Sequence, residues 1–196
     1  MQLYLASASP RRRELLDLLD VPFTVQPVEV PEHPVAGEQA TTYVTRLARE
    51  KASAGVARLP AGAMVLGADT LIARAGAILE KPRDEEHFRT MFRQLSDARH
   101  EVLTAVSLAC GTWQETRLVT TQVWFRAITE AEMSTYWATG EPADKAGGYG
   151  IQGRGGKFVR HLAGSYSAVV GLPLCETEAL LQAGRQWQQQ KREQAE

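Results

Sequence analysis

The sequence predicts an α/β fold: a mixed, twisted sheet flanked by helices, with a β-rich second lobe from about Val102 to Gln152. Three observations predict it. Leu3–Ala6 and Ala63–Ala68 are short apolar runs that read as buried strands, the second continuous enough to be covered on both faces. Amphipathic helical stretches lie between and after them. Two β-rich runs, Val102–Cys110 and Arg117–Ile128, join around Gly111 and suit an antiparallel pair extending away from the first sheet. No linker is long enough to cut the chain, so residues 1–196 are expected to form one domain of two lobes.

The first strand runs into Ser7-Ala8-Ser9-Pro10-Arg11-Arg12-Arg13. Ser9 has the chemistry of an N-cap, and Pro10 suits the first helical position, where no N–H is needed. Leu15, Leu16, Leu18 and Leu19 continue as the apolar face. Three arginines in the first turn oppose the helix dipole. Either they form a solvated basic corner, or the hydroxyls of Ser7 and Ser9, the free N–H groups and the guanidinium forks of Arg11 and Arg12 face an anion.

Phe23–Val28 is a plausible strand, and Glu29–Gly37 is a loop whose acids, Glu29 and Glu32, are solvated or ligate a metal. Glu38–Arg58 is helical, with Tyr43, Val44, Leu47 and Ala48 as its stripe. Lys51 lies one turn after Leu47, on or beside the buried face, where a lysine snorkels or meets an anion. Asp69-Thr70 ends the Ala63–Ala68 run. A carboxylate at a buried strand's end is where open α/β sheets place chemistry, and no helix pattern follows for it to cap. Leu71–Arg74 and Ala77–Leu79 form a hairpin around Ala75-Gly76, delivering Glu80-Lys81-Pro82.

Asp84 caps a helix over Glu85–Leu95, with Phe88, Met91, Phe92 and Leu95 inward. Thr129-Glu130-Ala131-Glu132 is a capping box for the next helix. Gly140–Gly156 holds seven of the sixteen glycines, too many for an ordinary element. It is a flexible linker or a structured binding loop, and Tyr149 and Ile151 are anchors that a linker would lack. Lys157–Leu162 returns as strand, and Gly164–Pro173 is a turn before a last helix carrying Leu174, Leu180 and Leu181. The tail from Gln186 is polar and expected to fray.

Hydrophobic content of 44% and charged content of 23% fit a soluble globular protein. A net charge of −1 argues against a general nucleic-acid binder. Cys110 and Cys175 are too few for a disulfide framework, which points to a reduced, cytoplasmic compartment. No signal peptide or membrane-spanning run is expected. Nucleophile elbow, P-loop and His/Cys metal cluster are all missing from the sequence. What remains is Arg11, Arg12, Lys51, Lys81, Glu32, Asp69 and Glu80, cations around a few acids. That chemistry suits a polyphosphate with a hard divalent ion.

Six blocks carry a resemblance: S-A-S-P-R-R-R-E-L-L from Ser7, L-A-R-E-K-A from Leu47, G-A-D-T from Gly67, E-K-P from Glu80, D-K-A-G-G-Y-G-I-Q-G from Asp144 and G-S-Y-S-A-V-V-G-L-P from Gly164. In this order, spanning Leu3 to about Leu181, they resemble the Maf family of nucleoside triphosphate pyrophosphatases. The resemblance implies a fold related to inosine triphosphatase with a cleft between lobes, a homodimer, and a divalent cation, Mg²⁺ or Mn²⁺. It also implies that Asp69 is the catalytic acid, as general base or metal ligand. Ser7, Arg11, Arg12, Lys51 and Lys81 match phosphate positions, to which the residue reading adds Ser9, and Glu32 matches an acid of the metal site. Many members carry a second acid where this chain has Pro31.

Arg12, Thr70 and Gln152 match the branch that acts on dTTP and UTP. The branch acting on 7-methyl-GTP instead reads S-P-W-R-R, S-D-Q and S-E-G at these places. A methylated guanine is cationic and suits an aromatic wall and a glutamate. A neutral pyrimidine offers carbonyl acceptors and an N3–H donor, which the Gln152 amide can complement. The expected reaction is water attack at the α-phosphorus, releasing pyrophosphate. The alternatives are a 7-methyl-GTP enzyme and a nucleotide-binding regulator with little turnover.

Overall fold

Apolar runs and amphipathic stretches sort into seven strands and six helices among residues 2–194, the residues that the computed structural model describes. In chain order these are β1 (Leu3–Leu5), α1 (Pro10–Asp17), β2 (Phe23–Val25), α2 (Ala40–Val56), β3 (Met64–Arg74), β4 (Ala77–Leu79) and α3 (Glu85–Leu95). Then come β5 (Arg99–Cys110), β6 (Trp113–Phe125), α4 (Glu130–Trp137), β7 (Val159–Ala163), α5 (Tyr166–Val170) and α6 (Leu174–Glu193). The sheet is mixed, in the order β2-β1-β3-β5-β6-β7, with β4 added to β3. Two compact units share the chain. One holds residues up to Asp69, Thr104–Val119 and the chain from Gly171; the other holds Thr70–Leu103 and Thr120–Val170.

In the first unit β1 pairs in parallel with both β2 and β3, Leu3 opposite Phe23 and Met64. Tyr4, Ala6, Ala63 and Val65 pack there against Val28, Val56 and Leu59. Helix α2 buries Tyr43, Val44, Leu47, Ala48, Lys51, Ala52 and Gly55. It lies almost on the β3 backbone: a Cβ at Gly67 would stand 2.4 Å from the Ala48 carbonyl oxygen and 2.5 Å from the Ala52 nitrogen. Only glycine permits that approach.

The second unit closes its hairpin with Ala75 and Gly76 both at positive φ, a two-residue turn that matches strand twist. Helix α3 starts at Asp84, whose carboxylate accepts from His87 N–H at 2.8 Å, and buries Phe88, Met91, Phe92 and Leu95. The expected capping box of Thr129 and Glu132 opens α4. Phe88, Phe92, Phe125, Tyr136 and Phe158 form an aromatic core.

Several details depart from expectation, among them the short helix α5 inside the expected Gly164–Pro173 turn. Strand β3 does not stop at Asp69 but continues to Arg74. Strands β5 and β6 do not leave the first sheet; β5, buried at almost every position, lies beside β3 within it. Helix α1 ends at Asp17, and Leu18, just past its last turn, is 66% exposed. The polar tail stays helical to Glu193, because Trp187 stacks on Trp113 and Gln188 donates to the Gly62 carbonyl at 2.8 Å.

His100 makes the second unit's core sensitive to acid. It is fully buried edge-on to Phe125, with Nε2 2.8 Å from the Tyr149 hydroxyl. Burial, helped by the positive charge of Arg74, lowers its pKa from 6.5 to about 3. The unfolded chain therefore binds a proton below pH 6.5 that the folded chain refuses until about pH 3, and stability falls across that window. Urea midpoints measured at pH 7 and pH 4.5 are expected to drop less in His100→Gln than in the parent; equal drops would remove His100 as a source of acid sensitivity.

Candidate active site

Gly67 and Asp69 share one face of β3, since side chains alternate along a strand. Because Gly67 lets α2 touch that face at Ala48 and Ala52, Lys51 in the same helical turn reaches Asp69. Its ammonium donates to Asp69 Oδ1 at 2.7 Å and pairs with Glu32 Oε1 at 2.6 Å. Lys51 is 7% exposed and Asp69 9%, whereas the Glu32 side chain remains 47% exposed. Lys51 therefore meets anions rather than snorkelling. Such a buried pair costs much of its Coulomb gain in desolvation, so it is poor evidence for a purely structural role.

Glu32 reaches this point on a loop that is tied to α2. Arg46 donates to both Glu38 oxygens, at 2.8 and 2.7 Å, and to the His33 carbonyl at 3.1 Å. The Val35 N–H donates to the same carboxylate at 3.0 Å. Arg46 and then Val35 hold the Glu38 carboxyl down at about 2, so the clamp stays charged at any ordinary pH.

The turn after β1 supplies cations. Ser9 sits at the N-cap as expected, yet its side chain makes no capping bond; its N–H donates to the buried Ser7 Oγ at 3.2 Å. Arg12 donates from Nη1 to Ser7 Oγ at 3.4 Å and from Nε to the Gly171 carbonyl at 2.9 Å. Burial lowers the Arg12 pKa from its ordinary value, while the carboxylates of Asp69 and Glu32 act to raise it and Arg11 to lower it. Arg12 thus lies in the field of the same acids that hold Lys51. Arg11 is half-buried and Arg13 exposed.

Ser7, Ser9, Arg11, Arg12, Glu32, Lys51 and Asp69 all belong to the first unit, and within it Lys51 joins the two acids. Thr70, Lys81 and Gln152 belong to the second. Thr70 is half-buried on the opposite face of β3 from Asp69. Lys81 is exposed beyond β4, next to Glu80, whose carbonyl accepts from Gly147 N–H at 3.0 Å. Gln152 is exposed on the glycine-rich segment, which is structured by three 3-10 turns, Glu141–Asp144, Ala146–Gly148 and Arg154–Phe158. Gly171 and the Glu38–Arg46 clamp had no sequence signal, since a carbonyl is common to every residue and the clamp's charges read as ordinary helix surface.

Two carboxylates on one ammonium are a donor set that suits Mg²⁺ or Mn²⁺ completed by phosphate oxygens and water. No group of three His, Cys, Asp or Glu side chains converges among the described residues, so a cage made of protein alone is not built here. Among those residues no helix is long and apolar enough to cross a membrane.

The family model described as Maf-like protein matches residues 2–184. The dTTP/UTP pyrophosphatase of Yersinia pestis bv. Antiqua (strain Antiqua) is 58% identical over 91% of this chain and 91% of its own length. That of Idiomarina loihiensis is 56% identical over 92% of this chain and 94% of its own, and that of Vibrio cholerae 49% over 92% and 96%. The solved structure of the Staphylococcus aureus Ham1 protein matches at 14% identity over 81% of this chain and 80% of that one, with a TM-score of 0.43, too distant to bear on the site.

Lys51→Met would leave Asp69 buried opposite Glu32 without its cation. A loss of about 3–5 kcal/mol in urea unfolding is expected. Lys51→Met combined with Asp69→Asn is expected to lose less than Lys51→Met alone. Strict additivity of the two changes would show that the pair is not coupled.

Proposed function

The chain belongs to the Maf family, and on that premise we propose that it hydrolyses dTTP and UTP to the nucleoside monophosphate and pyrophosphate. It is a nucleoside triphosphate pyrophosphatase. The observation that carries the reading is the buried Lys51 ammonium between Glu32 and Asp69, with Arg12 beside them.

In the proposed reaction a water oxygen bonds to the α-phosphorus and the bond from that phosphorus to the α,β-bridging oxygen breaks. Pyrophosphate leaves with the bridging oxygen's electron pair. Asp69 accepts the water's proton and passes it to solvent. Arg11, Arg12, Lys51 and Lys81 neutralise charge that builds on the triphosphate and the departing pyrophosphate, with Ser7 and Ser9 as neutral partners to phosphate oxygens. Glu32 and Asp69 would hold a divalent cation. When bound, that ion supplies positive charge at the α-phosphate and lowers the pKa of an attacking water. Arg12, Thr70 and Gln152 are assigned to discrimination, Gln152 reading the pyrimidine edge through an amide that both donates and accepts. The family likeness supports a homodimer, and two free cysteines agree with a reduced, cytoplasmic setting.

A pyrophosphate-release screen over the canonical nucleoside triphosphates and 7-methyl-GTP, with and without Mg²⁺ or Mn²⁺, tests the reading. Release from dTTP and UTP is expected, and its loss on chelation. Preference for 7-methyl-GTP would overturn the substrate assignment. Asp69→Asn is expected to lower turnover about 10²–10⁴-fold while nucleotide still binds. Near-normal turnover in that variant would remove Asp69 from the chemistry.

A further inference from the structure

The glycine-rich segment that carries Gln152 is gathered onto one carboxylate. Glu141 Oε1 accepts the Tyr136 hydroxyl at 2.7 Å and Gly155 N–H at 3.1 Å, and Oε2 accepts Arg154 N–H at 2.9 Å. The Tyr136 hydroxyl in turn lies 3.4 Å from Gly150 N–H, which donates to it. The residues on both sides of Gln152 are therefore fastened, at Gly150 before it and at Arg154 and Gly155 after it.

The glycines themselves record this closeness. A Cβ at Gly153 would stand 2.5 Å from Glu141 Oε1, and one at Gly155 2.6 Å from the Tyr136 hydroxyl. Neither glycine has positive φ, so close approach, to the Glu141 carboxylate at Gly153 and to the Tyr136 hydroxyl at Gly155, accounts for them rather than backbone handedness. Burial pushes the Glu141 carboxyl up, but the Tyr136 hydroxyl and the two backbone N–H groups, with Lys145 nearby, outweigh it and leave the pKa below the ordinary carboxylate value. The charged form is the one the loop is built around. Tyr149, three residues before Gln152, is buried and bonded to His100 Nε2, which anchors the segment's other approach.

We propose that Glu141 is a positioning residue for nucleotide discrimination, holding the 150–155 turn so that the exposed Gln152 side chain is presented in one orientation to the base. This rests on Gln152 being the base-reading residue. Glu141 itself touches no substrate; it acts through the backbone on either side of Gln152.

Glu141→Gln tests it, because the amide nitrogen must face a backbone or hydroxyl donor and at least one of the three bonds is lost. With urea unfolding showing a folded variant, kcat/KM for dTTP is expected to fall about ten-fold, carried by KM, while kcat stays within about three-fold. The ratio of dTTP to 7-methyl-GTP turnover is expected to shrink with it. In a Gln152→Ala background, Glu141→Gln is expected to add almost nothing to the loss of discrimination. Tyr136→Phe, which removes one donor and keeps the carboxylate, is expected to move the same ratio less far. If Gln152→Ala alone leaves discrimination intact, the base-reading assignment fails. If Gln152→Ala abolishes it while Glu141→Gln changes kcat for every nucleotide equally, or adds fully to Gln152→Ala, the positioning role fails. Should Glu141→Gln not fold, Tyr136→Phe decides: an unchanged ratio in that folded variant overturns the proposal.

Discussion

The Lys51–Asp69 pair in the first unit depends on a helix and a strand coming closer than side chains normally allow. At Gly67 the β3 backbone meets the α2 backbone at Ala48 and Ala52 with no room for a methyl group. That contact carries Lys51 to Asp69 and lets a 7% exposed ammonium stand between two carboxylates. Ion pairs of this kind are expensive to build, and well-packed apolar residues would give equal or greater stability. On the proposed function their charges serve the nucleotide as well as the fold.

The opposite strategy governs the second unit's glycine-rich segment. There no charge pair is buried; a single half-buried carboxylate is surrounded by N–H and O–H donors that it alone can satisfy. Many glycines usually mean mobility, because each has more backbone freedom to lose. Here several mark contacts instead, since larger residues at 153 and 155 would collide with Glu141 and Tyr136. A loop rich in glycine and one held in a single shape are compatible when the missing side chains make room for hydrogen bonds.

Periodicity and capping chemistry were the legible parts of the fold. Asp84, Thr129 and Glu132 occupy the caps their residue types announce, and the α2 and α3 stripes are buried as spaced. Boundaries were less legible. Asp69 looks like a strand end because a polar pair interrupts an apolar run, yet the ladder continues through it, its charge absorbed by Lys51 from the neighbouring helix. Such compensation comes from tertiary structure and leaves no local mark. For the same reason Lys51 could be read as snorkelling, and Trp187 and Gln188 could not be seen to hold the C-terminal helix. Residue identities pointed to most of the candidate site, because arginine in a first turn and lysine beside an apolar stripe are locally unfavourable. Glu141 stayed hidden because an acid near glycines is locally unremarkable.

Those unfavourable arginines now have a partial account that needs no ligand. Arg12 satisfies Ser7 Oγ and the Gly171 carbonyl, and the charges of Asp69 and Glu32 offset part of the cost of burying it at a helix N-terminus. Arg13 points to solvent and costs little. Arg12 and Lys51 share the field of Glu32 and Asp69, and the helix N-terminus adds positive potential of its own. On the proposed function a triphosphate would join this set, since phosphate oxygens accept several donors at once. On that proposal the fold gathers these cations before any nucleotide arrives, with Asp69 and Glu32 sharing the electrostatic cost.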